Sequence, residues 1–600
     1  MAAKNYIFIF TITPVQSFIS QARKTRDLFA GSQILSELTK EAVKLAKNKG
    51  AEIIMPSGDL EKAYSISNKF VAIFKNVEEE NLEIIGKNIE FRTLLYWKNE
   101  IVNDKSLKGK YQSEPKNEKE FSLKFNDHIT KYFNIYWLFY PIENNSYENT
   151  YKEAERYLGA IKNVRCFEQF DTEENHRKCS ICGERDAIVY RNIKFKKNGG
   201  TEPAFAFKNS LLLPNSYLIE NNEGLCGVCF IKRFYNKNKT EEFPSTAKIA
   251  FLNVLNKASS KLNEKLEEYE NSLKQGNFLN EQLYYDENLT KKYFKDQGLD
   301  ESKLSEAKTQ LQEIYKFAKK EEIPISRYYA LMKFDGDNMG KWLSGEYLKD
   351  KSKLKDFHND LSEKLRNFAE HSRKYLNGEL DGIQRGKTVY AGGDDFLGFI
   401  NLEYLFEVIK ELRENFRKQV FEPLRDIFSL KEELTFSAGI VIAHYKDPLS
   451  LVLDWASKLE EEAKNLDENK NAFGIAVLKR SGAIRKAIYK WDRLEYIQEI
   501  YRSIVEKEEF NSSFITKLEE SFKNIPIEEK IFFEKDGKDL IRAELKRVLR
   551  RSSNPNKIKN KEELKEKMKQ LISNLSKLTS TKMNNFFEIL NILKFIEREL

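Results

Sequence analysis

Apolar residues run without interruption through YIFIFTI (6–12), the pattern of a strand buried on both faces. Thr13-Pro14 then opens a helix, PVQSFISQARKTRDLFAGSQILSELTKEAVKLA. Val15, Phe18, Ile19 and Ala22 recur there at helical spacing, and proline suits a first turn because its missing N–H has no partner there. Gly31 inside that run predicts a kink or a break into two helices. A further strand is expected at KFVAIFK (69–75), leading into NLEIIGKNIEFRTLL, and strand, helix, strand begins an α+β layer. The periodicity is clearest from about 326 to 480. YYALMKFDGDNMG (328–340) reads as a buried strand running into an acidic turn. SKLKDFHNDLSEKLRNFAEHSRKYL (352–376) is a helix with Leu354, Phe357, Leu361, Leu365 and Phe368 along one side. KTVYAGGDDFLGFI is strand, turn, strand; YLFEVIKELRENFRKQVF a second helix; LTFSAGIVIAHY (434–445) a strand. DPLSLVLDWASKLEEEAKNL predicts a third helix with Asp447 as N-cap, and AFGIAVLKRSG a last strand. The order β-α-β-β-α-β is the ferredoxin-like unit, extended here by a helix and a strand. The strand-first segments near residues 6 and 328 have the form of a remote duplication.

Six hundred residues exceed a single core. The expected fold class is α+β multidomain: a ferredoxin-like domain at 1–160, a zinc-binding and helical region at 161–325, a second ferredoxin-like domain at 326–482 and helices from 483 to 600. Apolar content of 40% and aromatic content of 12% exclude a disordered chain. No apolar run reaches the roughly 18 residues of a membrane span, and the opening lacks a signal-peptide pattern, so a cytoplasmic protein is expected. The formal charge of +8 comes from 101 basic and 93 acidic residues, mostly interspersed; it permits a nucleic-acid partner without requiring one.

Four of the five cysteines form two Cys-x-x-Cys pairs, Cys179/Cys182 in KCSICGERDA and Cys226/Cys229 in GLCGVCF. Two such knuckles are the usual form of a structural zinc site with tetrahedral sulfur coordination, all four positions filled. The alternatives are two disulfides, disfavoured in a reducing compartment, or reduced core cysteines. Cys166 and His176 lie nearby with no necessary place in the set.

The chemistry lies in VYAGGDDFLGF (389–399). Asp394 and Asp395 side by side repel, which is unfavourable unless a cation sits there. Alone, GGDD reads as a solvated hairpin tip, since Gly and Asp are common turn residues. The second acidic turn, KFDGDNMG, changes this: in the ferredoxin-like unit its strand lies beside the hairpin, so Asp335 and Asp337 are expected to face Asp394 and Asp395. Such a set calls for hard cations, two magnesium or manganese ions at a phosphate-handling site. Gly392 and Gly393 can take positive φ and let a nucleotide approach the backbone.

KFDGDNMGKWL, YAGGDDFL, SAGIVIAHYKDPL and LKRSG together resemble the palm domain of the large subunit of type III CRISPR effector complexes, the Cmr-type (III-B) branch. TPVQSFISQARKTRDLFAGSQILS is similar to that subunit's first palm, and the paired cysteines fit its zinc region. The resemblance implies two palm (nucleotidyl cyclase-like) domains and a nucleotidyltransferase, active when guide RNA in the complex pairs with target RNA. It would join ATP by 3′–5′ phosphodiester bonds into cyclic oligoadenylate, with other complex subunits as partners. By motif position, Asp335 and Asp394 are metal ligands, Asp395 supports them, and Asp337 contributes more weakly to nucleotide binding. Lys464 stands where the cyclase relatives place a phosphate-contacting lysine; a solvated helix-end lysine is its other reading. The acceptor pocket is expected around Gln16–Arg26 and Asn68-Lys69-Phe70. RNA contact is expected through Arg23-Lys24-Thr25-Arg26 and Arg547–Arg551. Many family members carry an N-terminal HD-type nuclease; no histidine here directly precedes an aspartate, so DNase activity is not expected. Relatives without that domain include enzymes that join AMP to S-adenosylmethionine at the same kind of site, one alternative function. A catalytically idle scaffold binding guide RNA and partner subunits is the alternative from another class, and a stand-alone cyclic-dinucleotide synthase a third.

Overall fold

The computed structural model describes residues 3–60, 63–102, 118–143, 146–164, 176–191, 210–213, 218–235, 243–275, 278–523, 535–578 and 583–600. Two sheets share one strand order. In the first, β1 (Lys4–Thr13), β2 (Glu52–Met55), β3 (Lys69–Val77) and β4 (Asn134–Pro141) lie as β2-β3-β1-β4, all antiparallel. The helices α1 (Gln16–Ser20) and α2 (Thr25–Asn48) join β1 to β2; α3 (Glu79–Tyr96) and α4 (Glu118–Thr130) lie between β3 and β4. β1 is central, which accounts for its unbroken apolar run. Phe8, Phe10 and Ile12 pack toward α2 and α3, while Ile7 and Ile9 face α5 (Tyr147–Asn163) on the other side.

After the first sheet, β5 (Val189–Tyr190), β6 (Leu211–Leu212) and β7 (Gly224–Leu225) form a small three-stranded sheet next to α6 (Gly227–Phe234), and these share the core of α2 and α4. The next helix, α7 (Thr246–Lys257), is apolar on most sides and lies over the second sheet, where Asn401 Nδ2 donates to Ile249 O and Ala250 O at 3.0 Å each.

The second sheet holds β8 (Tyr328–Gly336), β9 (Gly386–Gly392), β10 (Asp395–Asn401), β11 (Phe436–His444), β12 (Ala472–Leu478) and β13 (Ile484–Lys490), ordered β13-β12-β11-β8-β10-β9. Its last four members repeat the first sheet's order, so both units are ferredoxin-like. Here α8 (Met339–Leu343) and α9 (Leu354–Asn377) follow β8, α10 (Leu405–Phe416) follows β10, and α11 (Leu449–Lys464) crosses from β11 to the parallel β12. Phe334 sits between Phe396 and Phe436, ring centroids 4.9 and 4.2 Å away, and anchors the face under α9. The opposite face carries Leu331, Leu397 and Val441 against α7 and α11.

The first unit's β2–β3 loop lies on β9, the edge strand of the second sheet. Ser65 Oγ donates to Ala391 O (2.6 Å) and accepts from Ala391 N (3.3 Å); Tyr64 OH donates to Thr388 O (3.3 Å). Ser57 Oγ donates to Asn359 O and Ser57 N to Ser362 Oγ on α9, each at 2.9 Å. An edge strand leaves backbone groups unpaired, and this loop occupies part of that edge. At the opposite edge Asn585, from the helix Met583–Glu599, bonds both the N–H (2.8 Å) and the carbonyl (2.7 Å) of Ile488 on β13.

Four expectations need correction. Helix does not begin at Pro14 but at Gln16, and the break falls at Gln21–Lys24, with α2 running through Gly31. Gly31 serves close packing instead: a Cβ there would stand 3.3 Å from the Ile19 Cα, so α1 and α2 touch backbone to backbone. The second sheet does not end at 482, because β12 turns at Lys479–Gly482 into β13, whose Ala487 and Tyr489 are buried. Asp447 does not cap α11; its carboxylate accepts from His444 N at 3.0 Å.

Gly439 on β11 lets α11 lie directly on the sheet, since a Cβ there would come within 2.0 Å of Ala456 O. Gly439→Ala is therefore expected to cost about 1–3 kcal/mol by overpacking, measured as a lower thermal-unfolding midpoint.

Candidate active site and metal centres

β8 ends at Gly336 beside the β9–β10 hairpin. Gly392 and Asp395 are paired across that hairpin, leaving Gly393-Asp394 as a two-residue loop. Gly393 has φ +65°, the requirement at the first position of a tight hairpin turn, and a Cβ there would meet only open space. Gly336 has a steric role: a Cβ would lie 2.8 Å from the Asp394 Cβ, so its absence brings the hairpin against the strand end. As a result Asp335, Asp394 and Asp395 each place a carboxylate oxygen within 4.8 Å of the other two.

Electrostatics follow from that crowding. Burial, then the Asp335 charge, push the Asp394 carboxyl up to about 6. Desolvation in the cleft and a hydrogen bond shared with Asp335 push Asp395 well above the carboxylate range. Burial also acts against Asp335, but the Asp395 hydrogen bond and the Lys464 ammonium hold it below its usual value. Lys464, on the last turn of α11, bonds Asp335 and also Glu460 (2.9 Å); burial opposes its charge, yet these carboxylates hold its proton more tightly than usual. Three hard oxygen donors competing for one ammonium fit a divalent cation.

Asp337 does not join the set. It accepts from Thr435 Oγ1 and Ser437 Oγ at 2.8 Å each and from Asn471 N at 3.0 Å, and is buried. Strand alternation would place residues 335 and 337 on one face, but the strand ends at Gly336 and Asn338 is left-handed, so the chain turns between them. Asp337 ties the acidic turn to β11 and the start of β12, a structural role in place of the expected nucleotide contact.

Two cavities, about 570 and about 300 Å³, open on either side of the hairpin and share Ser65–Ser67, Gly392 and Asp394. The larger reaches Tyr64 and Tyr151 of the first unit and Met339, Leu343 and Leu365 of the second. The smaller is walled by Gln16, Ile19, Ser20 and Asn68 opposite Lys333 and Tyr390. Of the expected acceptor residues, Gln16 and Asn68 line the smaller cavity and Lys69 the larger, where it pairs with Glu155 at 2.5 Å; Phe70 is in the core. Arg23 and Lys24 reach Glu223 (3.9 Å) and Glu220 (2.8 Å), so that basic stretch is engaged within the fold. Arg547 pairs with Glu544. Sequence reasoning missed Lys333, Glu460, Ser65 and Gly336. Lys333 had a signal, standing two residues before Asp335 on the same strand face, and Glu460 stands one helical turn before Lys464.

The four cysteines converge with their Sγ atoms within 4.8 Å, all as free thiols, Cys182 and Cys226 3.9 Å apart. Backbone N–H groups of Ile181 and Cys229 point at the sulfurs of Cys179 and Cys226, each at 3.5 Å. Burial pushes the Cys226 thiol up, whereas the other three sulfurs hold Cys182 low, an imbalance that a tetrahedral cation removes. His176 lies near Asp186, and Cys166 falls outside the described residues. Cys226 and Cys229 open α6, whose Lys232 Nζ donates to Phe18 O and to Gln21 O (2.8 Å) at the end of α1. Its Arg233 is wholly buried between Asp27 (2.5 Å) and Glu223 (3.0 Å), and Asp27 also accepts from the backbone of Arg23 and Lys24. The thiol cluster thus grips the turn between α1 and α2, the two helices that wall the smaller cavity.

Two outcomes follow. Asp394 has a folded pKa above its unfolded one, so its contribution to stability is present below about pH 4 and lost as the pH rises through about 6. A cation removes that loss, and manganese is expected to raise the thermal midpoint more at about pH 7.5 than at about pH 5. Cys226→Ser is expected to cost at least about 4 kcal/mol, the scale of losing a structural metal, with faster amide exchange across residues 16–28.

Residues 7–99 match the family described as CRISPR-associated protein Cmr2, N-terminal, and residues 328–474 match Cas10/Cmr2, second palm domain. The chain is 28% identical over 579 residues to the CRISPR system Cmr subunit Cmr2 of Pyrococcus furiosus, covering 83% of this chain and 64% of that protein. A shorter match, 29% over 158 residues, links 26% of this chain to 19% of the single-strand-specific deoxyribonuclease Cas10/Csm1 (subtype III-A) of Streptococcus thermophilus. Among solved structures, the type III-B Cmr-beta bound to cognate target RNA contains a chain with the same fold. The TM-score is 0.66 at 15% identity, over 99% of this chain and 83% of the other. Among the described residues no helix is long and apolar enough to cross a membrane. The two Cmr2 models match in this order, one on each of the ferredoxin-like units, so these units are similar to the N-terminal and second palm parts of Cmr2-type Cas10 subunits.

Proposed function

We propose that the chain is the nucleotidyltransferase subunit of a type III-B CRISPR complex, switched on by target RNA and making cyclic oligoadenylate from ATP. The observation that carries this reading is the carboxylate trio on a hairpin between two cavities that share Asp394. Two nucleotides can then meet at one acidic edge, one in each cavity. In the reaction the 3′ oxygen of one ATP bonds to the α-phosphorus of another, the α–β anhydride breaks, and pyrophosphate leaves. Asp335, Asp394 and Asp395 would hold two magnesium or manganese ions, which when bound supply Lewis acidity at the attacked phosphorus and at the leaving group. Gly393 leaves the backbone open to the nucleotide, while Gly392 lies against Ser65 and Ile66 where the two cavities meet. Lys464 is placed to exchange Asp335 for triphosphate oxygens once cations occupy the carboxylates. Cys179, Cys182, Cys226 and Cys229 would hold a structural zinc ion that keeps the α1–α2 turn in place. The nucleotide-holding units are residues 1–160 and 326–490.

Partner subunits, guide RNA and target RNA enter this reading through the relatives, one named as a Cmr complex subunit and one recorded with cognate target RNA. The chain spans 64% of the length of the Pyrococcus protein.

The test is the assembled complex with labelled ATP, magnesium or manganese and target RNA, with and without S-adenosylmethionine, products identified by mass. Cyclic oligoadenylate that depends on target RNA is the expected product. An AMP conjugate appearing only with S-adenosylmethionine would replace that product, and no adenylate under any condition would leave a scaffold. Asp394→Asn with Asp395→Asn is expected to lower product at least about 100-fold, the scale on which a charge-stabilising group acts, with RNA binding unchanged.

A further inference from the structure

We propose that Lys333, positioned by Glu460, is the phosphate anchor for the acceptor nucleotide in the smaller cavity; this rests on the adenylate-joining reading above. Lys333 lines that cavity from β8, with 17% of its side chain exposed. Its Nζ lies 3.1 Å from Ser457 Oγ and 3.0 Å from Glu460 Oε2, both on α11. An ammonium carries three N–H donors; Ser457 takes one and Glu460 Oε2 is an ion-pair partner, so donor capacity remains for the cavity.

Glu460 is 7% exposed and bridges two ammonium groups, one oxygen toward Lys333 and the other toward Lys464. One buried carboxylate needs only one cation to be neutral. Lys464 shares its charge with Asp335 as well, so Lys333 is the ammonium of the pair that has Glu460 as its carboxylate partner and stays clear of the aspartates. The two lysines differ in what else they touch. Lys464 bonds Asp335, whereas Lys333 bonds none of the three aspartates. Cations on the aspartates therefore leave Lys333 where it is, already aimed.

Spacing supports the assignment. Lys333 and Asp335 are two residues apart on one strand, on the same face and about 7 Å apart by strand rise. That separation is comparable to the distance across a ribose from its 3′ oxygen to its 5′ phosphates. A 3′ hydroxyl at the aspartates thus puts the same nucleotide's phosphates near Lys333. The wall opposite is uncharged and mixes polar Gln16, Ser20 and Asn68 with apolar Ile19 and Leu35, suited to sugar and base. The other charged group on the cavity, besides the hairpin aspartates, is the exposed Asp454. Lys333 is then the cation that selects an acceptor bearing phosphates over a bare nucleoside.

The experiment separates donor from acceptor in the target-activated complex. 3′-Deoxy-ATP can donate but has no hydroxyl to attack; α,β-methylene-ATP can accept but cannot donate; adenosine accepts without phosphates. Wild type is expected to use the methylene analogue at a lower KM than adenosine. Lys333→Met is expected to raise the KM for the analogue about tenfold, the worth of one hydrogen bond to a charged group, leaving kcat, the adenosine KM and the 3′-deoxy-ATP KM near wild type. Lys333→Arg should restore much of the preference. Glu460→Gln should raise the same acceptor KM and, through Lys464, the donor KM as well, whereas a purely structural role would alter stability without moving either KM. If Lys333→Met does not fold, Lys333→Gln takes its place. An unchanged preference for the analogue in a folded Lys333 variant overturns the inference alone, as does an equal rise in donor and acceptor KM. No adenylate product from wild type with either acceptor overturns the underlying reading.

Discussion

Asp335, Asp394 and Asp395 keep their carboxylate oxygens within 4.8 Å of one another, and that repulsion sets the terms for what surrounds them. A chain free to relax would swing the groups apart. Here a two-residue turn, a strand end stripped of its Cβ at Gly336 and a third strand on the far side of β8 remove that freedom. The rigidity comes from the sheet beneath, where Phe334 is stacked between Phe396 and Phe436, each one residue from a site element. In the absence of cations the charge is met by proton sharing and by Lys464. Both responses are reversible.

The second unit alone would present only half a site. The β2–β3 loop of the first unit bonds β9 immediately before the glycines, and Ser65–Ser67 become common walls of both cavities. The opposite wall of the smaller cavity is the short helix α1, whose five residues are too few to be stable alone. It is held by Lys232 and, through Asp27, by the wholly buried Arg233. A buried ion pair is costly to break, about 3–5 kcal/mol when one partner is removed, and this one stands four residues beyond Cys229. The sulfur cluster is remote from the reacting groups yet shapes one wall of their cavity.

The two ferredoxin-like units repeat one strand order. They meet so that the acidic edge of one faces a loop and a helix end of the other. The acidic cluster is carried by the second unit alone, while the first supplies walls.

Much of this was legible in the sequence because it depends on local pattern. The continuous run of β1, the alternation around GGDD, the helical spacing of Leu361, Leu365 and Phe368, and the paired cysteines are all short-range signals, and each forms as expected. Gly393 was readable as a turn residue for the same reason. Asp337 was misread because its fate depends on where β8 stops, which is decided by Thr435 and Ser437 a hundred residues away. Gly31 looked like a break, yet it and Gly439 each mark a helix approaching another backbone. Ser65, Lys333 and Glu460 carried little signal, since a serine in a loop or a salt-bridged lysine is ordinary until its neighbours are known. Sequence by itself determined the strands, the turn chemistry and the identity of the donor atoms, because these follow from each residue's own conformational and chemical preferences. Only the tertiary structure decided which carboxylates share a site, which lysine faces the cavity and how the first unit closes it, because those depend on contacts between residues distant in the chain.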